Sequence, residues 1–198
     1  MGKFNKIEWT AESIKEYLSD KDPERSPHYK ELMHLANFIQ EKKLTKIFDL
    51  GTWTGISGYI MATCSDSVEE LISMDWGEQH SIAAYGEPKR DPSLYGMYLP
   101  EGSVYIQSDY RDKMDYALKE YNIDFAFIDD GHGTNAVWEQ INICWNNNIK
   151  YIAIHDVSKK KVKRALKHCL STNLYKEILT DIGSSPTQGI MILERING

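Results

Sequence analysis

Apolar positions along this chain recur in two rhythms, and the change between them separates helices from strands. Leu32, Leu35, Ala36 and Ile39 stand at i, i+3, i+4 and i+7 and predict a helix over 28–42, with Ser26-Pro27 as its cap and first turn. Residues 10–19 predict another, set off by the charged turn 19–23. From Lys46 onward, short apolar runs predict strands over 46–50, 70–75, 103–107, 123–129 and 150–155. Helical spacing fills 55–64, 111–121, 134–146 and 159–170. In the third of these, Val137, Ile141, Cys144 and Trp145 make one stripe, while Glu139, Asn142 and Asn146 face away. Such alternation implies a parallel sheet covered on both faces. The ending departs from it: 174–180 and 189–196 both read as strands, separated by the turn-rich Gly183-Ser184-Ser185-Pro186. Residues 76–102 carry no clear period; Tyr85, Pro88, Pro92, Tyr95, Tyr98 and Pro100 mark them as a lid, a binding loop or a disordered stretch, with a short helix near Gln79 to Tyr85.

The most informative run is Asp49-Leu50-Gly51-Thr52-Trp53-Thr54-Gly55, which closes an apolar strand and opens a helix with a glycine at each end of the turn. Glycine there permits positive φ and leaves room for a ligand to approach the backbone, while Asp49 can accept hydrogen bonds at the strand end. The spacing disfavours a dinucleotide. In the fingerprint G-x-G-x-x-G the second and third glycines fall here on Trp53 and Ile56, whose side chains would block a pyrophosphate.

These residues resemble the class I S-adenosylmethionine (SAM)-dependent methyltransferases. An acidic residue followed by Gly-Thr-aromatic-Thr-Gly is similar to the small-molecule O-methyltransferases related to catechol O-methyltransferase, and the likeness extends more weakly from about His28 to the end of the chain. The resemblance implies a Rossmann-like, doubly wound α/β fold, a mostly parallel seven-stranded sheet with a C-terminal antiparallel strand pair and helices on both faces. It makes SAM the expected cofactor, in a seat formed by Asp49, Gly51, Thr52, Trp53 and Gly55. A dehydrogenase explains the terminal strand pair poorly.

Ligands of open α/β sheets sit at the carboxyl ends of the strands, where Asp75, Asp109, Asp129 and His155-Asp156 stand. By similarity, Asp75 accepts from the ribose hydroxyls, Trp76 stacks beside the adenine, and the turn Ser108-Asp109 reaches the adenine amino group. Asp109 serves equally well as an N-cap of the helix that follows. In related enzymes the aspartate at the fourth strand end binds a divalent metal, and a base stands three residues later; Asp129, also a candidate for the cofactor seat, and His132 match that spacing. An imidazole of ordinary pKa ~6.5 is suited to take a proton near neutrality. Metal-dependent members supply two further oxygen ligands from the next strand end, where this chain has His155 and Asp156. An imidazole among the ligands suits Mn, Fe, Ni or Zn better than Mg²⁺. His34 and His168 read as helix-packing groups, His28 as a helix-start residue, and His80 falls in the unassigned loop.

Composition narrows the rest. The chain has 198 residues and 41% apolar content, enough for one domain, with N-terminal helices over 1–44 and the cofactor-binding sheet over 45–198. No apolar run approaches the ~20 residues that span a bilayer, and the opening residues lack the apolar segment of a signal peptide, so a cytoplasmic protein away from membranes is expected. Cys64, Cys144 and Cys169, scattered and odd in number, read as small buried groups. A net charge of −6 argues against a nucleic-acid partner, and Lys159, Lys160, Lys161, Lys163, Arg164 and Lys167 read as the solvated face opposite Val162, Leu166 and Cys169. The expected partner is a small-molecule acceptor, methylated on oxygen. The rival readings are a non-catalytic SAM-binding module and a nucleotide-dependent oxidoreductase.

Overall fold

The computed structural model describes residues 3–22, 28–76, 91–183 and 189–196. Its elements run α1 (Ala11–Lys21), α2 (Tyr29–Lys42), β1 (Lys46–Leu50), α3 (Ile56–Thr63), β2 (Glu70–Asp75), β3 (Val104–Gln107), α4 (Tyr110–Tyr121), β4 (Phe125–Ile128), α5 (Thr134–Asn146), β5 (Tyr151–His155), α6 (Lys160–Ser171), β6 (Tyr175–Asp181) and β7 (Ile190–Arg195). The strands form one sheet of seven in the order β3-β2-β1-β4-β5-β7-β6. β1 to β5 are parallel, and β7 runs antiparallel between β5 and β6. The alternating pattern thus gives the expected α/β sheet with its terminal antiparallel pair, and the order reverses beside β1, the place where such sheets bind ligands.

Strand alternation divides the apolar residues between two cores. Ile47, Phe125 and Phe127 join Ile14, Leu35, Ile39 and Ile60 from α1, α2 and α3 on one face. Phe48, Ala126 and Ile128 join Met114, Ile141 and Leu166 from α4, α5 and α6 on the other. Phe48 and Phe125 are fully buried, and burial of a side chain of this kind contributes about 1.5–3 kcal/mol. The helix α6 buries Val162, Ala165, Leu166 and Cys169, and Lys160, Lys161, Lys163, Arg164 and Lys167 stay exposed, as the spacing predicts. All three cysteines are free and buried.

Local chemistry adjusts several boundaries. Asp109 caps α4, whose first residue is Tyr110. Gly55 is the N-cap of α3, and His28, half-buried, is the N-cap of α2. Ser26-Pro27, His80 and the helix expected near Gln79 to Tyr85 lie outside the described residues. Of the long unassigned region, Pro92–Leu94 forms a 3₁₀ turn and the residues after it lead into β3. Among the described residues no helix is long and apolar enough to cross a membrane.

Candidate active site

The site follows from register. Leu50 pairs with Met74 on one side and with Ile128 on the other, and Ile128 pairs with Ile154. The next residue of each strand path therefore falls in one row along the carboxyl edge: Asp75, Gly51, Asp129 and His155.

The glycine turn is sewn to β2. The N–H groups of Gly51 and Thr52 donate to the carbonyl of Met74 at 2.9 and 3.3 Å, and the Trp53 N–H donates to Asp75 Oδ2 at 2.8 Å. Gly51 has φ +88° and lies so close to β4 that a Cβ there would stand 2.3 Å from the carbonyl oxygen of Asp129. Gly55, at φ +90°, faces Leu99, whose Cγ and N would each lie 2.9 Å from an added Cβ. Leu99 belongs to a flap over the turn: Gly96 N–H donates to Trp53 O at 2.6 Å and Tyr98 N–H to Thr54 O at 2.9 Å. Tyr95 meets the Trp53 ring edge-on at 5.2 Å. The composition of this stretch allows a lid, a binding loop or a disordered segment, and its pattern does not show that its last residues pair with the turn.

Asp49 sits beneath the turn rather than over it. It is fully buried on the α3 side of the sheet, where Ser57 and Ser73 donate their hydroxyls to its carboxylate at 3.3 and 3.2 Å. Thr52 is equally buried, its hydroxyl donating to Met74 O and Asp49 O. At the other side of Asp75, the Arg111 guanidinium lies 5.9 Å from the Trp76 ring. Asp109 accepts from the Arg111 N–H at 2.9 Å and pairs with its guanidinium, so the capping role is realised. Ser108 N–H donates to Asp75 O at 3.0 Å, and its hydroxyl to Asp109 O. Three buried polar groups here and nearby lack a partner among the described residues: the Thr54 hydroxyl, the Tyr105 hydroxyl and the Gln140 amide. Burial pushes the Tyr105 hydroxyl pKa up, and the charge of Asp75 adds to it.

Beyond β4, ligand atoms of Asp129, His132 and Asp156 gather within 4.8 Å of one another. His132 Nε2 is 3.3 Å from Asp156 Oδ2, and the Lys159 ammonium pairs with the same oxygen. Burial lowers the His132 pKa, Asp129 and Asp156 oppose it, and Lys159 reinforces it. Lys159 thus belongs to the site and not to the solvated face assigned to it from spacing. Asp156 has φ +58°, a left-handed conformation that aspartate tolerates better than most residues.

His155 turns to a different set of partners. Its Nδ1 lies 2.8 Å from Asp129 Oδ1 and its Nε2 lies 2.7 Å from Glu31 Oε2. His28 Nδ1 approaches the same Glu31 oxygen at 2.9 Å, and the Gly189 N–H donates to Glu31 Oε1. Burial alone would lower the His155 pKa, but the two carboxylates hold it at about 10. Burial alone would raise that of Glu31, but His155, His28 and the Gly189 N–H hold it at about 2. Glu31 was missed in the sequence, although a signal exists: it stands one helical turn before Leu35 and two before Phe38, on the buried side of α2, where an unpartnered charge is rare.

The fold is the Rossmann-like one of solved methyltransferase structures. The O-methyltransferase from Bacillus cereus in complex with S-adenosylhomocysteine (SAH) superposes with TM-score 0.59 at 15% identity, over 94% of this chain and 100% of that one. The O-methyltransferase TomG from Streptomyces achromogenes, involved in tomaymycin synthesis and bound to SAM, gives 0.61 at 11% identity, over 98% and 93%. An SAH-bound methyltransferase from Podospora anserina gives 0.62 at 9% identity, over 98% and 91%. No protein-family model matches this sequence, and no curated protein matches it significantly.

Proposed function

We propose that this chain is a SAM-dependent methyltransferase that transfers a methyl group to a hydroxyl oxygen of a small molecule. The observation that carries the reading is the Asp75 carboxylate bonded to the Trp53 N–H inside the glycine turn, at the point where strand order reverses. Similar enzymes named above bind SAM or SAH. The residues fit such a group: the Thr54 and Tyr105 hydroxyls, buried without partners, are groups that a polar ligand would satisfy. Asp75 would accept from the ribose hydroxyls, Trp76 with Ser108 and Asp109 would border the adenine, and the turn from Gly51 to Gly55 would take the amino-acid end. When bound, SAM supplies an electrophilic methyl group on a sulfonium.

His132 is the base of this reading. Its lowered pKa keeps the imidazole neutral near pH 7, and its side chain, 40% exposed, is open to an acceptor. With Nε2–H donating to Asp156, the lone pair lies on Nδ1, which takes the proton of the acceptor hydroxyl. Asp156 then stabilises the imidazolium, and Lys159 neutralises the excess charge on Asp156. Alternatively, Asp129, His132 and Asp156 make a donor set that would hold a divalent cation, which would supply Lewis-acid polarisation of the acceptor oxygen, with His132 then a ligand and not the base.

Titration of the intrinsic tryptophan fluorescence with SAH, and separately with NADH, tests the class. A response to NADH and none to SAH would overturn it; tight SAH binding with no methyl transfer to any of a broad panel of hydroxyl compounds would leave a binding module. Asp75→Ala is expected to weaken SAH binding roughly 10- to 100-fold, the loss of hydrogen bonds to a charged group, while the melting temperature stays near wild type. Unchanged affinity would remove Asp75 from the cofactor seat. His132→Gln is expected to lower turnover about 10²- to 10⁴-fold with SAH affinity retained, and a fully active variant would exclude it as the base.

A further inference from the structure

The cluster on the α2 side of His155 has the composition of a metal centre distinct from the acids beside His132. His28, at the N-cap of α2, and Glu31, in its first turn, stand at i and i+3 on one helix face, and β5 delivers His155 to the same point. Two imidazole nitrogens converge on a single carboxylate oxygen: His28 Nδ1 at 2.9 Å and His155 Nε2 at 2.7 Å from Glu31 Oε2. One ligand atom from each residue lies within 4.8 Å of the others. Glu31 is 4% exposed, and its second oxygen is fixed by the Gly189 N–H. The remaining ring nitrogen of His155 points to Asp129 Oδ1 at 2.8 Å, the outer carboxylate that orients a metal-binding imidazole and fixes its tautomer.

We propose that His28, Glu31 and His155 bind a first-row divalent transition-metal ion, for which Zn²⁺ is the probe. Two imidazoles and one carboxylate suit Zn²⁺, Co²⁺ or Ni²⁺, whereas Mg²⁺ prefers oxygen throughout. Three protein donors leave a position for water or for an oxygen of a bound molecule. Binding replaces the proton on His155 Nε2, which passes to solvent, while Nδ1–H continues to donate to Asp129. The ion would tie the first turn of α2 to the carboxyl end of β5, two segments 124 residues apart in sequence.

The test uses chelator-stripped full-length protein carrying Asp156→Asn, which cripples the neighbouring acid cluster and suits the left-handed backbone at that position. Zn²⁺ is titrated against a chromophoric chelator, and Co²⁺ is followed by its visible absorption. One tightly bound equivalent is expected, with d–d bands typical of imidazole and carboxylate coordination. Adding His28→Ala should weaken Zn²⁺ at least tenfold, and adding Asp129→Asn instead should weaken it roughly 10- to 100-fold, as loss of an outer partner does. Because His28 lies at a helix start, His28→Ala leaves the core intact, and melting curves check this. Absence of stoichiometric uptake would reduce the cluster to an ion-pair network and overturn the proposal, as would uptake indifferent to His28→Ala. SAH titration of the protein with and without His28→Ala keeps the cofactor question separate, since His28 does not belong to that seat.

Discussion

Gly51→Ala is expected to destabilise the chain by about 2–6 kcal/mol and to abolish SAH binding. Two costs combine. A residue with a Cβ held at φ +88° is strained by roughly 1–3 kcal/mol. The added carbon would also stand 2.3 Å from the Asp129 carbonyl oxygen, a backbone atom that cannot rotate away, so β1 and β4 must separate at about 1–3 kcal/mol more. That separation strikes the site, because Asp129 N–H donates to Leu50 O at 2.8 Å and the turn beyond Gly51 holds Asp75. Gly133→Ala is the control: an added Cβ there meets nothing within 4 Å, and φ is −78°. That variant should stay within about 1 kcal/mol of wild type, the ordinary range for a helix cap change. Urea unfolding and SAH titration of both variants decide the matter. A Gly51→Ala protein with wild-type stability and SAH affinity would mean that the turn relaxes freely and is no cradle.

What the sequence revealed and what it concealed divide along a physical line. The turn from Gly51 to Gly55 and the acids at 75, 129 and 156 are local: a strand ends, a polar group follows, and parallel register does the rest, because Leu50, Met74, Ile128 and Ile154 pair across the sheet. Alternation of strands and helices showed a parallel sheet covered on both faces, though not its strand order, and an apolar stripe at helical spacing placed the buried face of α6. Side-chain direction was not legible. Asp49 reads as a cleft residue, yet pleat alternation sends it to the α3 face with Ser57 and Ser73. The family resemblance groups His155 with Asp129 and Asp156, and the structure adds a partner from α2, far away in sequence. The flap contacts of Gly96 and Tyr98 with the turn are backbone hydrogen bonds, which leave no trace in residue type.

In chelator-treated protein, Glu31→Ala is expected to cost about 3–5 kcal/mol, the penalty of removing one partner from a buried ion pair. The side chain is 5% exposed and that of His155 13%, so solvent screens the pair little. Removing the carboxylate leaves the buried His155 with only Asp129 and, at 3.7 Å, Asp156 among the described residues, and takes the Glu31 contact from His28 and the acceptor from the Gly189 N–H. The pH dependence identifies the cause. His155, raised from 6.5 to about 10, contributes stability that is complete below its unfolded value of 6.5 and is lost as pH rises toward 10. Glu31, lowered from 4.5 to about 2, contributes stability that is complete above 4.5 and is lost as pH falls toward 2. The two conditions overlap between pH 4.5 and 6.5, so the gap between wild type and Glu31→Ala should be widest there and shrink on either side. Glu31→Gln, which keeps the volume and can still accept from an imidazole N–H, should lose less and show a flatter profile. Urea midpoints of the three proteins from roughly pH 3 to 10 measure this directly. A gap independent of pH throughout would show that Glu31 acts through packing, and a gap that shrinks below pH 4.5 but stays level from about pH 6.5 to 10 would mean that His155 is neutral in the folded chain.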